Sequence, residues 1–387
     1  MMGCESEKYM ERVKNMKNII SIMFMLFVAS ILYAGVGLAA DISMQTGPEY
    51  DWWKSDEHER GYQFRMPIRI DAQQQSFSAF LVTSYAYSHF HESNGDDPSL
   101  SDITDTKVGC SYIGPDSLPF DILFGLDMNL PTGETDLDDD DLAIMMDADL
   151  ISITSFGEGI NVNPSIVIAR QWDKWAAGLG AGYTWRGEYD FSSDIRNYDP
   201  GDIINTTGEV RYSFSPAWQA RMFGEYAYYS REEADDSYSY KEGDLIILGL
   251  GLNYFRQSWD IGATVRGVFR GDEQLHVTAT QDRDTYGDEW IADLSGRIML
   301  SDKTTLISQL EYLRMDENGY ASSSPYYIGN RDKVCLLAGL IRQLSQDFEA
   351  GFKVKGLLMD DDKGMYHMDE DRSFKGFSAT ASLTRKF

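Results

Sequence analysis

The sequence predicts an all-β protein: a transmembrane, antiparallel, up-and-down β-barrel of about sixteen strands that follows an N-terminal signal peptide. Three observations predict this fold. An uncharged apolar stretch lies near the N-terminus, and the rest of the chain alternates apolar with polar or small residues at the period of a strand. In addition, short turns alternate with long polar loops, as in barrels of the bacterial outer membrane. We therefore expect an outer-membrane location.

The first element is the stretch from Asn18 to Ala40, which holds no charged residue. Two lysines precede it, and small residues around Ala39 and Ala40 permit cleavage, as in a secretory signal peptide. An uncleaved membrane anchor is the alternative, but no later apolar run approaches the ~20 residues that a spanning helix needs. The expected division is a signal peptide at 1–40 and a barrel at 41–387.

The composition suits a barrel wall. The 387 residues carry a net charge of −28 and a mean hydropathy of −0.36, but a membrane strand is apolar on one face only, so polar loops dominate the average. Aromatic residues make up 13% of the chain, beside 34 glycines, a mixture typical of strands, interfacial girdles and turns. The acidic balance argues against a nucleic-acid partner. After cleavage Cys110 and Cys335 remain, too few for a disulfide framework.

The clearest strand lies at 175–187, where one face is apolar and begins and ends on tryptophan, at Trp175 and Trp185. A soluble β-sandwich would also alternate, but its strands are usually shorter than the ~9 to 11 residues of a membrane strand. The last strand ends on Phe387, which resembles a barrel-sorting signal. Arg385 departs from that signal, because an apolar or aromatic residue is usual at its position.

Counting from the C-terminus gives fifteen strands, and a periplasmic N-terminus with an even strand number requires one more, near 42–54. Sixteen is therefore the predicted number. Fourteen is the alternative, if residues 42–70 fold into the lumen as a plug. The other predicted strands lie near 60–70, 76–91, 103–113, 120–130, 160–171, 174–187, 203–214, 217–229, 244–255, 258–271, 288–300, 303–314, 333–343, 347–359 and 375–387.

Charged residues on the inward faces are the candidate site, because a barrel of this size encloses an aqueous channel unless something fills it. Opposite charges on a lumen wall orient and select solutes, whereas the alternative is that they pair and rigidify the wall. No metal site or cofactor is expected. The candidate channel-lining residues are Arg65, Arg69, Asp127, Arg186, Arg211, Arg221, Glu225, Arg266, Asp293 and Arg297.

The longest connection, residues 131–159, follows a strand that Pro131 and Gly133 end. Its segment 142–153 is too apolar for a solvated loop, so we expect it to be buried inside the lumen or packed on the rim. A loop folded inward would narrow the pore. The acidic runs at 138–141, 360–362 and 369–371 lack the spacing of a calcium loop and are interpreted as solvated loops.

Three phrases resemble a broad group of outer-membrane transport proteins that is named after the meta pathway of phenol degradation: ILFGLDMNLPTG at 122–133, FGEGINVNPSIVIAR at 156–170 and GLGAGYTWRGEYD at 178–190. The resemblance implies a porin-like barrel that passes small solutes, organic or aromatic by the family's name. The expected partners of such a barrel are outer-membrane lipids and lipopolysaccharide, the barrel-assembly machinery and a small-molecule solute.

Two other functions stay open. His91, Ser93, Asn94 and Gly95 resemble the H-x-S-N-G segment of outer-membrane phospholipase A, in which the histidine activates the serine. The asparagine context that completes that family's pattern is missing from this chain, so a channel is preferred over an enzyme. A structural or adhesive surface barrel, which would carry no current, is the third possibility.

Overall fold

The computed structural model describes residues 40–387, except 93–94, 96, 143, 235–237, 277–279, 284–285, 325 and 364–369. Apart from Ala40, the predicted signal peptide lies outside the described residues. One short helix, α1, spans Asp139–Leu142. The strands are β1 (Asp41–Thr46), β2 (Glu49–Ser55), β3 (Arg60–Gln74), β4 (Phe77–His91), β5 (Ser99–Ile103), β6 (Thr106–Ile113), β7 (Asp121–Leu130), β8 (Asn161–Trp172), β9 (Trp175–Arg186), β10 (Ile203–Ser215), β11 (Trp218–Tyr229), β12 (Arg231–Ala234), β13 (Tyr238–Lys241), β14 (Leu245–Phe255), β15 (Trp259–Arg270), β16 (Glu273–His276), β17 (Thr280–Arg283), β18 (Glu289–Ser301), β19 (Thr304–Met315), β20 (Arg331–Gln343), β21 (Phe348–Asp361) and β22 (Arg372–Lys386).

Eighteen of these strands form one closed antiparallel sheet, the barrel wall. They occupy sixteen positions around the wall, because two of these positions are each made by two short consecutive strands. β1 and β2 share one position, because both pair with β3 on one side and β22 on the other. β5 and β6 share another, because both pair with β4. The predicted sixteen strands are confirmed. The fourteen-stranded alternative is wrong, because residues 42–70 lie in the wall.

The first wall position is interrupted at Gly47, where the chain approaches β22 closely. A Cβ on Gly47 would lie 2.1 Å from the carbonyl oxygen of Ala381, and its φ is 155°. Only glycine fits this approach without a shift of the neighbouring backbone. The adjoining Pro48 carbonyl accepts a hydrogen bond of 3.0 Å from the Ala381 amide, so the interruption stays attached to the wall.

Alternate residues of the wall strands form an exposed apolar belt, with Leu179 73% exposed and Leu250 63% exposed. Aromatic rings form a girdle at the end of the barrel that carries the short turns. The ring centres of Trp175 and Tyr212 are 4.6 Å apart, as are those of Trp218 and Tyr254. An apolar belt with an aromatic girdle is the lipid-facing surface of an outer-membrane barrel. The protein is accordingly a β-barrel of the bacterial outer membrane.

Arg385, which departs from the usual terminal pattern, lies between aromatic rings. Its guanidinium is 4.4 Å from the ring centre of Phe387 and 5.5 Å from that of Phe348. Cation–π contacts of this kind accommodate a cation where an aromatic residue is usual, and the long stem can reach the headgroup level. The terminal strand therefore keeps an aromatic surface despite the arginine.

The connections at 230–243 and 272–287, which lie between predicted strands, contain a second sheet. Strands β12, β13, β16 and β17, called the loop sheet below, pair in that order. Within the described part of the chain, no helix has the length and apolar character to cross a bilayer. Cys110 and Cys335 are both free.

Candidate functional site

The ten candidate charged residues occupy the strand positions that alternate with the exposed apolar belt, and most hold local partners. Arg65 pairs with Glu49, Arg69 with Asp71 and Arg211 with Glu209. Arg297 lies 2.6 Å from Asp260, and Asp293 accepts a 3.0 Å hydrogen bond from Gln309. Local pairing of this kind stiffens the wall and leaves less free charge at these positions.

The other candidates divide by location. Arg186 donates to the Pro200 carbonyl at 2.9 Å, near the long-loop end of β9. Asp127 fills the space that a side chain at Gly109 would take. The structure brings three of the ten together, since Arg221, Glu225 and Arg266 all line one cavity.

The connection 131–159, called the inner loop below, packs inside the barrel. Its apolar side chains are buried against the inward residues of β2, β4, β5 and β20–β22, and Trp53 donates to the Met146 sulfur at 3.3 Å. Burying each large aliphatic side chain contributes about 1.5–3 kcal/mol. The buried cluster comprises Trp53, Ile144, Met146, Leu150, Ile151, Cys335, Leu357, Met359 and Phe374. The segment 142–153 was expected either inside the lumen or on the rim of the barrel. The structure places its buried apolar residues inside the lumen.

A charged network fixes the same loop to the wall. Arg331 reaches Asp147 at 2.7 Å and Asp149 at 2.8 Å, both on the inner loop. It also pairs with Asp361 at 2.7 Å, and Lys333 reaches Asp149 at 2.6 Å. Buried charges need such partners, because an unpaired one would be desolvated without compensation. The expectation that 360–362 is a solvated run is wrong for Asp361, which is 1% exposed.

Polar side chains hold the two ends of the inner loop. Gln63 donates to the Ile153 carbonyl and accepts from its amide, both at 2.8 Å. The Asp105 carboxylate accepts from the amides of Gly133 and Glu158, at 2.9 and 2.7 Å. The loop is therefore anchored at its start, middle and end, and these buried backbone groups have side-chain partners.

The residues that hold the inner loop were missed at the sequence level. Arg331 lies outside the predicted strands, and the carboxylates that meet it come from distant segments. One signal was present: Asp147 and Asp149 interrupt an otherwise apolar segment. If such a segment is buried, its acids require cationic partners on the wall.

Opposite the inner loop, the wall encloses a cavity of about 630 Å³, called the wall cavity below. Gly178 and Gly180 of β9 contribute no side chains, which leaves space beside β10 and β11. Part of the lining of the wall cavity is apolar and part is charged, a combination typical of sites for small organic ligands. Its main side chains are Val167, Thr207, Glu209, Arg221, Phe223, Glu225, Leu245, Ile247, Arg266, Val268, Arg270, Glu289 and Ile291.

Acidic and phenolic groups lie at the long-loop end of this wall. Tyr198 donates to Glu232 of the loop sheet at 2.6 Å. Burial raises the pKa of Glu232, although Tyr198 and Arg186 oppose the shift. Burial also raises the pKa of Glu242, and the neighbouring Glu232 and Glu273 raise it further. The connection between β13 and β14 therefore holds a carboxylate whose charge is disfavoured.

His91 lies at the end of β4 and forms a short contact through Nδ1 with Asp97. The contact gives the imidazole an acidic partner. Ser93 and Asn94, the other members of the phospholipase-like phrase, lie outside the described residues. Across the part of the chain that is described, no group of three or more His, Cys, Asp or Glu side chains is arranged to hold a metal ion.

The family model described as "Putative MetA-pathway of phenol degradation" matches residues 64–274, more than half of the chain. The match runs from within β3 to the first two residues of β16. It therefore includes the inner loop and most of the wall cavity. No curated protein matches the sequence.

Several solved barrels are similar in fold. OmpT, an outer membrane protein of Vibrio cholerae, is 10% identical with a TM-score of 0.43, over 90% of this chain and 97% of that one. The P. putida toluene transporter TodX is 10% identical with a TM-score of 0.38, and the match covers 90% of this chain and 89% of TodX. An anion-selective porin from Comamonas acidovorans is 12% identical with a TM-score of 0.39, and the match covers 90% of this chain and 99% of the porin. At these scores the similarities carry no functional conclusion.

Proposed function

Since this chain belongs to the family described as "Putative MetA-pathway of phenol degradation", we propose that it is an outer-membrane channel for small organic solutes and not an enzyme. The single observation that carries the proposal is the wall cavity. It measures about 630 Å³ and lies on the inward face of the barrel, where apolar side chains stand beside charged ones. Such a lining accepts solutes that have both an apolar body and a polar group.

The inner loop supports a size limit. It occupies the lumen against β2, β4, β5 and β20–β22, so solutes pass along the opposite wall, beside β8–β11, β14, β15 and β18. A barrel of sixteen strands without such a loop holds a wide aqueous pore. The filled lumen therefore favours a narrow path and excludes larger hydrated solutes.

Swelling of proteoliposomes tests the proposal, with the full mature chain reconstituted in phospholipid. We expect rapid swelling in arabinose and much slower swelling in sucrose, because the remaining path is narrow. Protein-free liposomes are the baseline. A folded barrel that gives no swelling in any solute contradicts the proposal and favours the structural or adhesive surface barrel.

A further inference from the structure

Two arginines in the wall cavity, Arg221 and Arg266, have no acidic partner in the part of the chain that the structure describes. Arg221 donates to the Thr264 hydroxyl at 3.2 Å and lies 5.0 Å from the ring centre of Phe223. Among the described residues, no carboxylate lies within the 4.0 Å ion-pair limit of Arg221 or Arg266. A third arginine of the same lining, Arg270, is neutralised by Glu289 at 2.5 Å.

The carboxylates of the cavity do not cancel these two charges. Glu289 is used by Arg270, and Glu209 is used by Arg211. Glu225 is the one other carboxylate in the lining, so two guanidinium groups face a single free acid. When each ion-paired residue is counted with its partner, including Arg211 beside the cavity, Arg221 and Arg266 exceed Glu225 by one positive charge.

Two glycines of β14 make room for the side chains that lie between the two arginines. β14 lies between β11 and β15. In the strand register, Gly251 of β14 lies between Arg221 of β11 and Thr264 of β15. Two residues earlier on β14, Gly249 lies between Phe223 and Arg266. The Arg221 side chain crosses over Gly251, and the Phe223 ring crosses over Gly249. A guanidinium, an aromatic ring and a second guanidinium thus line one recess that no side chain from β14 obstructs.

The apolar part of the lining lies on the long-loop side of this recess. Ile247, Val268 and Ile291 come from β14, β15 and β18, and Val268 and Ile291 belong to one buried apolar cluster. An aromatic or aliphatic ring would bury its surface here. A planar carboxylate would meet the guanidinium fork, whose parallel N–H groups match carboxylate geometry.

We propose that the wall cavity is a binding site for small aromatic or other apolar carboxylates, with Arg266 and Arg221 holding the carboxylate and Phe223, Ile247, Val268 and Ile291 holding the ring. The inference rests on the proposed channel function and specifies its solute class. A cation would be repelled by the two arginines, and a neutral analogue would lose the charge-assisted hydrogen bonds.

Equilibrium binding tests the site without requiring transport. The detergent-folded full barrel is titrated calorimetrically at pH 8 with benzoate, benzyl alcohol and benzylamine. We expect benzoate to bind about tenfold or more tightly than benzyl alcohol, because charged hydrogen bonds distinguish them. Arg266→Gln removes that preference and Arg266→Lys retains part of it. Arg342→Gln, which removes a cation from an exposed wall position, leaves benzoate binding unchanged.

Two results separate this inference from the channel proposal. Equal affinity for benzoate and benzyl alcohol, with no effect of Arg266→Gln, overturns the site even if liposomes swell. Benzoate binding that depends on Arg266, in a barrel that supports no swelling, sustains the site and overturns the channel. Heat-modified migration on SDS gels confirms that each variant is a folded barrel. If Arg266→Gln does not fold, Arg221→Gln, which removes the other proposed carboxylate-binding guanidinium, replaces it as the decisive variant.

Discussion

Arg331, at the start of β20, donates through Nε and Nη2 to both carboxylate oxygens of Asp361 on the adjacent strand, each at 2.7 Å. The bidentate pair orients the guanidinium so that Nη1 points to Asp149 of the inner loop at 2.8 Å. A planar fork held on one side by the wall is preorganised for a second acid. The wall thus fixes the arginine, and the arginine fixes the loop.

Replacing Asp149 by asparagine should loosen the inner loop without unfolding the barrel. The change leaves Arg331 and Lys333 short of one partner, and breaking a buried pair costs about 3 kcal/mol or more. If the loop opens locally, amide exchange within 144–153 becomes roughly 100-fold faster. Hydrogen–deuterium exchange with mass spectrometry measures this rate.

Asp316→Asn is the matched control for that change, because Asp316 pairs with Arg314 at 3.1 Å on an exposed surface. Exposed pairs contribute at most about 1 kcal/mol. Exchange within 144–153 should be the same as in the unaltered protein. If Asp149→Asn behaves like Asp316→Asn, apolar packing alone holds the inner loop.

Deleting residues 137–155 should raise single-channel conductance in planar bilayers. The deletion removes the buried apolar segment and the two inner-loop acids that contact Arg331, and it opens the lumen that they fill. Deleting residues 321–323, which are exposed in another long loop, serves as the control. Unchanged conductance in the 137–155 deletion would show that this loop does not limit the pore.

Gly178→Trp should slow solute flux by filling the wall cavity. A Cβ at Gly178 meets its nearest neighbours at 3.7 Å, so the backbone accepts a side chain that projects into the cavity. Gly356→Trp is the control, since it adds the same side chain where nothing lies within 4 Å and where the strand position faces lipid. We expect a several-fold decrease in arabinose swelling rate for the first variant alone, and an equal rate in both would contradict the assigned path.

The connection after β13 should be more stable at acidic than at alkaline pH. Burial raises the pKa of Glu242 above its ordinary value of 4.5, and Glu232 and Glu273 add to the shift, against Arg270 and Arg186. A raised carboxyl pKa means that the folded form binds the proton more tightly. This stabilisation is complete below about pH 4.5 and is lost as the pH rises through the raised value.

Amide exchange in β13, corrected for its intrinsic pH dependence, measures that effect. Protection should decrease between pH 4.5 and pH 8 in the unaltered protein. Glu242→Gln should keep the protection at pH 8, because the amide remains neutral. Glu188→Gln, at an exposed loop position, should retain the original decrease. A flat profile in the unaltered protein would argue against the buried acid as its source.

Purified protein should hydrolyse no phospholipid. His91 has an acidic partner in Asp97, but an acyl hydrolase also needs a nucleophile and donors for the oxyanion. A phospholipase assay on the folded barrel, with Ser93→Ala as the comparison, measures the activity. Hydrolysis that disappears in Ser93→Ala would replace the channel proposal by an enzymatic one.

Strand positions could be predicted because a membrane wall imposes a strict period of two on every crossing. The expected strand at 175–187 appears as β9, Trp175–Arg186, with tryptophan at both ends of its apolar face. The interruption at Gly47 could not be predicted, since it depends on the approach of Ala381 from the far end of the chain. The loop sheet was missed for a similar reason: its four-residue strands pair between two separate connections.

The candidate site could be predicted only as a set of inward charges. Arg221, Glu225 and Arg266 share the wall cavity, whereas Arg65 and Arg69 are paired on another part of the wall. Strand alternation specifies which way a side chain points, but ion pairing depends on register across strands. Arg331 lay beyond this reasoning altogether, because its partners on the inner loop are distant in sequence.

The wall is closed by hydrogen bonds between the first and last strands, including one of 2.9 Å from the Phe387 amide to the Ile42 carbonyl. Met44 faces Arg385 in the same seam. Joining segments so distant along the chain has a high loop-closure entropy cost, so this seam should form late in folding. Until it forms, β1, β2 and β22 carry unpaired backbone edges, which makes the open sheet prone to pair with other chains.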